Sequence, residues 1–260
     1  MHDRRSHRKD DRMCDRDECL EARASISRRF LLAAGAGAAL AGAGLAGRPR
    51  SARADSLAAV RPNAIAPDEA LRRLVDGNAR YAVNTARNKD LLASRAAQAA
   101  GQYPIAGIVS CADSRVVPEL AFDQGPGELF VVRLAGNFVD DYGLASLEYG
   151  VASLGVPLIL VLGHSSCGAI AATLKVLKEN AVLPGQLPKL VDALKPAVAA
   201  AQARNPADPL DEAIAENVRV NVRRLQEATP VVAEAVQSGR VKIVGGVYDI
   251  ASGKVAMLQA

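Results

Sequence analysis

The stretch Val156–Ala169, "VPLILVLGHSSCGA", decides how this chain is read. After Pro157 comes an unbroken apolar run, Leu158 to Leu162, with no polar residue alternating among its members. Such a run reads as a strand buried on both faces, as in a parallel sheet with helices over each side. The predicted strand is "PLILVLG" (157–163); His164 follows it directly, and a helical pattern starts near Cys167. The strand therefore ends by delivering a histidine and, three residues on, a cysteine. The pair has three readings: metal ligands, half of a disulfide, or core residues that happen to be neighbours.

Three further runs share the character of the first: "IAGIVS" (105–110), "LFVVRL" (129–134) and "VKIVGGVYD" (241–249). Helical patterns cover 140–154, 168–179, 187–203, 209–227 and 229–238. Strands alternating with helices predict an α/β fold, a mostly parallel sheet flanked by helices. The closing "GKVAMLQ" adds an edge strand after the turn at "DIASG". Upstream, "PDEALRRLVDGNARYA" puts Pro67 at a first helical position, acids in the first turn, and apolar residues at 71, 74, 75 and 81. That is an amphipathic N-terminal helical arm, and "LLASRAAQAAGQ" continues helical to Gly101. Residues 67–260 form a single domain, preceded by a Pro/Ala linker over 55–66.

Residues 1–54 have a different composition. They carry 12 Lys/Arg against 7 Asp/Glu, whereas residues 55–260 carry 20 against 21. The formal net charge of +4 therefore belongs to the leader, and the body has no electrostatic case for nucleic acid. "SRRFLL" (27–32) sets an arginine pair before the Gly/Ala-rich apolar segment "LLAAGAGAALAGAGLAG", and "RPRSARA" ends in a small-x-small pattern at Ala54. The layout resembles a twin-arginine export signal, with cleavage expected after Ala54. It implies a periplasmic or otherwise exported protein that meets the membrane only transiently; an uncleaved anchor is the alternative, and Met13 is an alternative start. Once the leader is gone, His164 is the one histidine left, and Cys111 and Cys167 are the two cysteines.

Ligands of open α/β sheets bind beyond the carboxyl ends of the strands. "SCADSRVVPE" follows the first predicted strand, and an extended chain past Ser110 would turn Cys111, Asp113 and Arg115 to one side. "GHSSCGAI" places Cys167 at a helix N-terminus, where backbone N–H groups and the helix dipole favour a thiolate. Together the two strand ends offer Cys111, His164 and Cys167. A Cys₂His set with a fourth position open is the pattern of catalytic zinc, whereas structural zinc sites are closed by four ligands. A disulfide between the two cysteines would leave His164, Asp113 and Arg115 unexplained.

"CADSR" followed some fifty residues later by "HSSCG" resembles the β-class carbonic anhydrases, whose signature is C-x-D-S-R with H-x-x-C. The resemblance runs through "PGELFVVRLAGN", "SLEYGVASLGVPLILVLGH" and "YDIASGKV", essentially residues 68–258. It implies one Zn²⁺ per subunit on Cys111, His164 and Cys167, and reversible hydration of CO₂ to bicarbonate and a proton by attack of zinc-bound hydroxide. It implies Asp113 and Arg115 as a dyad beside that water and Gln102 as a substrate-binding donor; the Gly168 N–H is a further candidate donor to the developing anionic oxygens. Phe130 and Tyr149 match apolar wall residues that, with the glutamine, come from a partner subunit, which implies a homodimer or higher homo-oligomer. Two departures stand out. The chain has no tryptophan, which argues against a tryptophan-containing bicarbonate pocket, and Leu134 stands where many members carry Asn. Hydrolysis of CS₂ or COS on the same scaffold, or a non-catalytic zinc-binding or disulfide-bonded role, are the alternatives.

Overall fold

The computed structural model describes residues 61–87, 95–96 and 98–259. The leader and half of the helix predicted over 91–100 lie outside the described residues. In chain order come α1 (Pro67–Ala82), β1 (Ala106–Ser110), the short α2 (Pro118–Ala121), β2 (Leu129–Arg133) and α3 (Asp141–Tyr149). They are followed by β3 (Leu158–His164), α4 (Gly168–Glu179), α5 (Leu187–Gln202), α6 (Pro209–Gln226), α7 (Val231–Gln237), β4 (Lys242–Tyr248) and β5 (Val255–Leu258). The sheet order is β2-β1-β3-β4-β5. The first four strands are parallel and β5 pairs antiparallel with β4. Among the described residues no helix is long and apolar enough to cross a membrane.

Every residue of β3 is buried. Leu158, Leu160 and Leu162 pack to one side with Leu74 of α1, Ile108 and Phe122. Ile159 and Val161 pack to the other with Val109, Val218, Leu225 and Val232. The alternation of side chains along a strand thus turns one apolar run into two cores, each fully buried Leu or Ile worth about 1.5–3 kcal/mol.

The chain runs from β1 outward to β2, then returns past β1 to β3. Segments leaving β1 and β3 consequently diverge, and a crevice opens at their carboxyl ends, the switch point where α/β sheets bind ligands. Helix α6 crosses the face beside it, started by Asp208, whose carboxylate accepts from the N–H groups of Leu210 and Asp211. Val218 of α6 sits against two strand positions that lack side chains. A Cβ at Gly163 would come within 2.7 Å of Val218, and one at Gly245 within 2.6 Å.

The helix predicted over 140–154 is α-helical only to Tyr149 and widens into a π turn over Gly150–Leu154. Gly155 (φ 72°) stops it, and Asn63 caps it, its Nδ2 donating to Leu154 O at 2.9 Å and to Pro104 O at 3.0 Å. Asn63 is buried, so the end of the Pro/Ala segment is tied to the body.

Candidate metal centre

Strand β1 stops at Ser110, but its pairing continues locally: Leu134 N–H donates to Ser110 O and Ala112 N–H to Leu134 O. Cys111 is held between these bonds and is buried. The chain does not stay extended beyond it. Val116 N–H donates to Asp113 O at 3.1 Å, closing a turn that takes Arg115 to the surface, so the expected two-residue alternation of Cys111, Asp113 and Arg115 does not occur. Asp113 and Arg115 meet through that turn instead.

His164 is the last residue of β3 and is fully buried. A turn through Ser166 (φ 56°) leads to Cys167, the residue preceding α4. The ligand atoms of Cys111, His164 and Cys167 all lie within 4.8 Å of one another, and both thiols are free and buried. Nδ1 of His164 lies 2.9 Å from Ser165 O. A carbonyl only accepts, so Nδ1 carries the proton and Nε2 presents its lone pair. Nε2 is buried and has no hydrogen-bond partner, an arrangement that costs about 1–3 kcal/mol in an apolar interior. Two soft sulfurs and one imidazole nitrogen converging on a point fit Zn²⁺, with a fourth position left open.

Asp113 borders this point. Arg115 donates Nε to Oδ1 at 3.0 Å, Nη2 to Oδ2 at 2.8 Å, and its backbone N–H to Oδ1 at 3.0 Å. Oδ2 is 4.0 Å from His164 Nε2. The Arg115 guanidinium holds the Asp113 carboxyl well below the usual carboxylate range, against the opposing effect of burial. The Cys167 thiol beside it lowers Cys111 to about 4, with His164 and the Gly136 N–H adding to the shift and burial opposing it. Cys167 is pushed up, by Cys111 and by burial, although the Ile170 and Ala169 N–H groups of α4 pull the other way. Burial works against a charged His164, but the Cys111 sulfur, Ser165 O and Asp113 raise its pKa overall.

Sequence reasoning missed two residues that build the site. Arg133, at the end of β2, donates Nε to Cys111 O at 3.0 Å and Nη2 to Asp113 O at 2.7 Å, clamping the loop that carries both. Its signal was a charge closing an apolar strand. Gly136 donates its N–H to Cys111 Sγ at 3.2 Å from a φ of 83°. Its signal was the glycine in "LAGN".

Of the remaining predicted residues only Gly168 adjoins the triad, directly after Cys167. Gly168 opens α4, and a Cβ there would meet nothing within 4 Å. Gln102 is exposed in the segment before β1. Phe130 pairs in register with Gly107, four residues before Cys111 and therefore about 13 Å short of the site along the strand. Its ring stands 6.3 Å from that of Tyr149, which is half exposed. Among the described residues no hydrogen bond joins Gln102, Phe130 or Tyr149 to the triad.

Residues 106–255 match the family model described as carbonic anhydrase. A carbonic anhydrase of Mycolicibacterium smegmatis is 38% identical over 192 residues, covering 74% of this chain and 93% of the relative. The solved Coccomyxa β-carbonic anhydrase superposes with a TM-score of 0.58 at 30% identity, covering 72% of this chain and 86% of its own. The chain belongs to the β-carbonic anhydrases. Another solved structure, from the two tetrameric β-carbonic anhydrases of Sordaria macrospora, has a TM-score of 0.58 at 26% identity, with 74% and 98% of the two chains covered. The β-carbonic anhydrase fold thus accounts for the parallel sheet, and the Cys111–His164–Cys167 group at its switch point is compatible with the zinc this family uses.

Proposed function

We propose that this chain hydrates CO₂ reversibly to bicarbonate and a proton at a zinc ion held by Cys111, His164 and Cys167. The observation that carries this reading is the buried, unpartnered Nε2 of His164 facing two free thiols, with an Arg-locked carboxylate alongside. Bound zinc supplies the Lewis acidity that makes water a nucleophile near neutral pH. Asp113 stands where its ionised carboxylate can accept a hydrogen bond from that nucleophile and fix its orientation. Arg115 keeps the carboxylate charged and keeps both its oxygens off the metal. Gly168 N–H, at the start of α4, and Gln102 are the donors assigned to the negative charge that grows on the substrate oxygens.

The active unit we infer is a homo-oligomer. Strand β2 is an edge of the sheet, and on it Phe130 is part-exposed beside Tyr149. Tyr142, on the same helix as Tyr149, is 86% exposed. A partner packed across this edge would cover these rings and bring its own Gln102, Phe130 and Tyr149 to the crevice. We further propose export, with the twin-arginine-like leader removed after Ala54. Replacing Arg28 and Arg29 by Lys should abolish delivery; unchanged delivery would point to the general secretory route.

The deciding experiment is stopped-flow CO₂ hydration with zinc content measured on the same sample. Cys167→Ser is expected to lose zinc and turnover together, because a hydroxyl replaces a thiolate poorly. Full zinc and full turnover in that variant would overturn the ligand assignment. Turnover on COS or CS₂ exceeding that on CO₂ would replace the substrate.

A further inference from the structure

We propose that Asn217 and Asn221 of α6 are positioning residues for the metal centre, holding the Ala135–Val139 loop so that the Gly136 N–H stays on Cys111 Sγ. The proposal rests on the zinc reading of the triad. The two asparagines are one turn apart and so share a helix face. Both are buried, 1% and 3% exposed, on the side of α6 that also carries Val218 and Leu225.

Every amide group of this pair that faces the loop is engaged. Asn217 Nδ2 donates to Gly136 O at 2.8 Å, and Val139 N–H donates to Asn221 Oδ1 at 2.8 Å. Asn221 Nδ2 donates to Asn217 O at 2.8 Å and to Asn217 Oδ1 at 3.2 Å. The last bond fixes which way the Asn217 amide turns, and so aims Nδ2 at Gly136. A chain of hydrogen bonds thus runs Asn221, Asn217, Gly136, Cys111.

The loop needs such a hold. Gly136 and Asn137 have consecutive positive φ values, 83° and 41°, and non-glycine residues rarely occupy that region. Leu194 of α5 also packs closely on the loop, since a Cβ on Gly136 would lie 2.8 Å from Leu194 Cδ1. Leucines at 217 and 221 would satisfy a helix face packed on a sheet; amides bury two polar groups whose desolvation hydrogen bonds must offset. What the amides add is direction. An N–H aimed at a ligating sulfur is an outer-shell contact of the kind that tunes metal affinity about 10–100-fold.

The test uses the full chain, with zinc affinity measured by chelator competition and Co²⁺ as a spectroscopic probe of the same site. Asn217→Ala should weaken zinc binding about 10-fold. It should also move the sulfur-to-cobalt charge-transfer band to longer wavelength, because a thiolate that loses a hydrogen bond gives up its electrons more readily. Asn221→Ala should shift both in the same direction by less, and it serves if Asn217→Ala does not fold. The control is Asn78→Ala, which removes another buried asparagine whose side chain bonds Ala121 O, Gly253 O and Val255 N–H. It should lower thermal stability with zinc affinity and cobalt band unchanged. Unchanged affinity and band in both α6 variants, or an equal change in Asn78→Ala, would overturn the proposal. Absence of zinc binding in the unaltered chain would instead overturn the metal reading, and the proposal with it.

Discussion

Arg115 makes three of its contacts with one carboxylate and none with a metal ligand, so its removal separates binding from chemistry. In Arg115→Ala the Cys₂His set is intact and zinc content should stay at the unaltered level. Asp113 would lose the two guanidinium donors and, at 4.0 Å from His164 Nε2, is free to swing toward the metal. Stopped-flow measurement should find CO₂ hydration at neutral pH down by about 100-fold or more, the scale of a misplaced acid–base group. Near-normal rates would remove the pair from the mechanism. Asp113 and Arg115 were named through the family resemblance; their residues alone suggested an extended alternation, and a local turn pairs them instead. Arg133, Gly136, Asn217 and Asn221 were not legible in the sequence, because each acts across at least 20 residues of sequence, and nothing in their own neighbourhood names the target.

Among the elements, the strands and longer helices were legible to within a residue or two, since β3 shows its burial as an unbroken apolar run and Pro67 marks the start of α1. Gly77 was opaque. A glycine inside a helix costs about 1 kcal/mol relative to alanine, with no return visible in "LRRLVDGNARYA". The return is contact: a Cβ at Gly77 would fall 1.9 Å from Phe122 O, and Asn78 beside it bonds Ala121 O and Gly253 O. Gly77→Ala should therefore destabilise by about 1–3 kcal/mol, the usual cost of overpacking, seen as a lower urea midpoint. Zinc per folded chain should not change, because α1 packs on the sheet face away from α6. The π turn at Gly150–Leu154 was likewise invisible, because its cap, Asn63, lies about ninety residues upstream.

Across the whole molecule, charge decides how folding responds to acid. Glu216 is 6% exposed and meets Arg204, Arg219 and Arg223 within 3.3 Å. Burial pushes its carboxyl up, but the guanidiniums outweigh burial and hold it below the ordinary 4.5. A depressed carboxyl contributes stability that is complete above its unfolded pKa and disappears as pH falls through the folded one; Asp113 has the same sign. The share of these two carboxylates in the unfolding free energy, read by urea, should be complete above about pH 5 and fall below it. Glu216→Gln should lose about 1 kcal/mol at pH 7, discounted because the arginines are partly solvated, and its fall in acid should be shallower. An equally steep fall would assign the acid response to other groups. The two bare strand positions under Val218 have a wider consequence. They set how closely α6 approaches the sheet, and with that whether Asn217 reaches its loop. A methyl group added at Gly245 would lift the helix and disturb the metal from beneath it. A map of mutational tolerance scored by turnover would then mark an atomless site on β4 as sharply as a ligand, and chemistry alone would misattribute the mark.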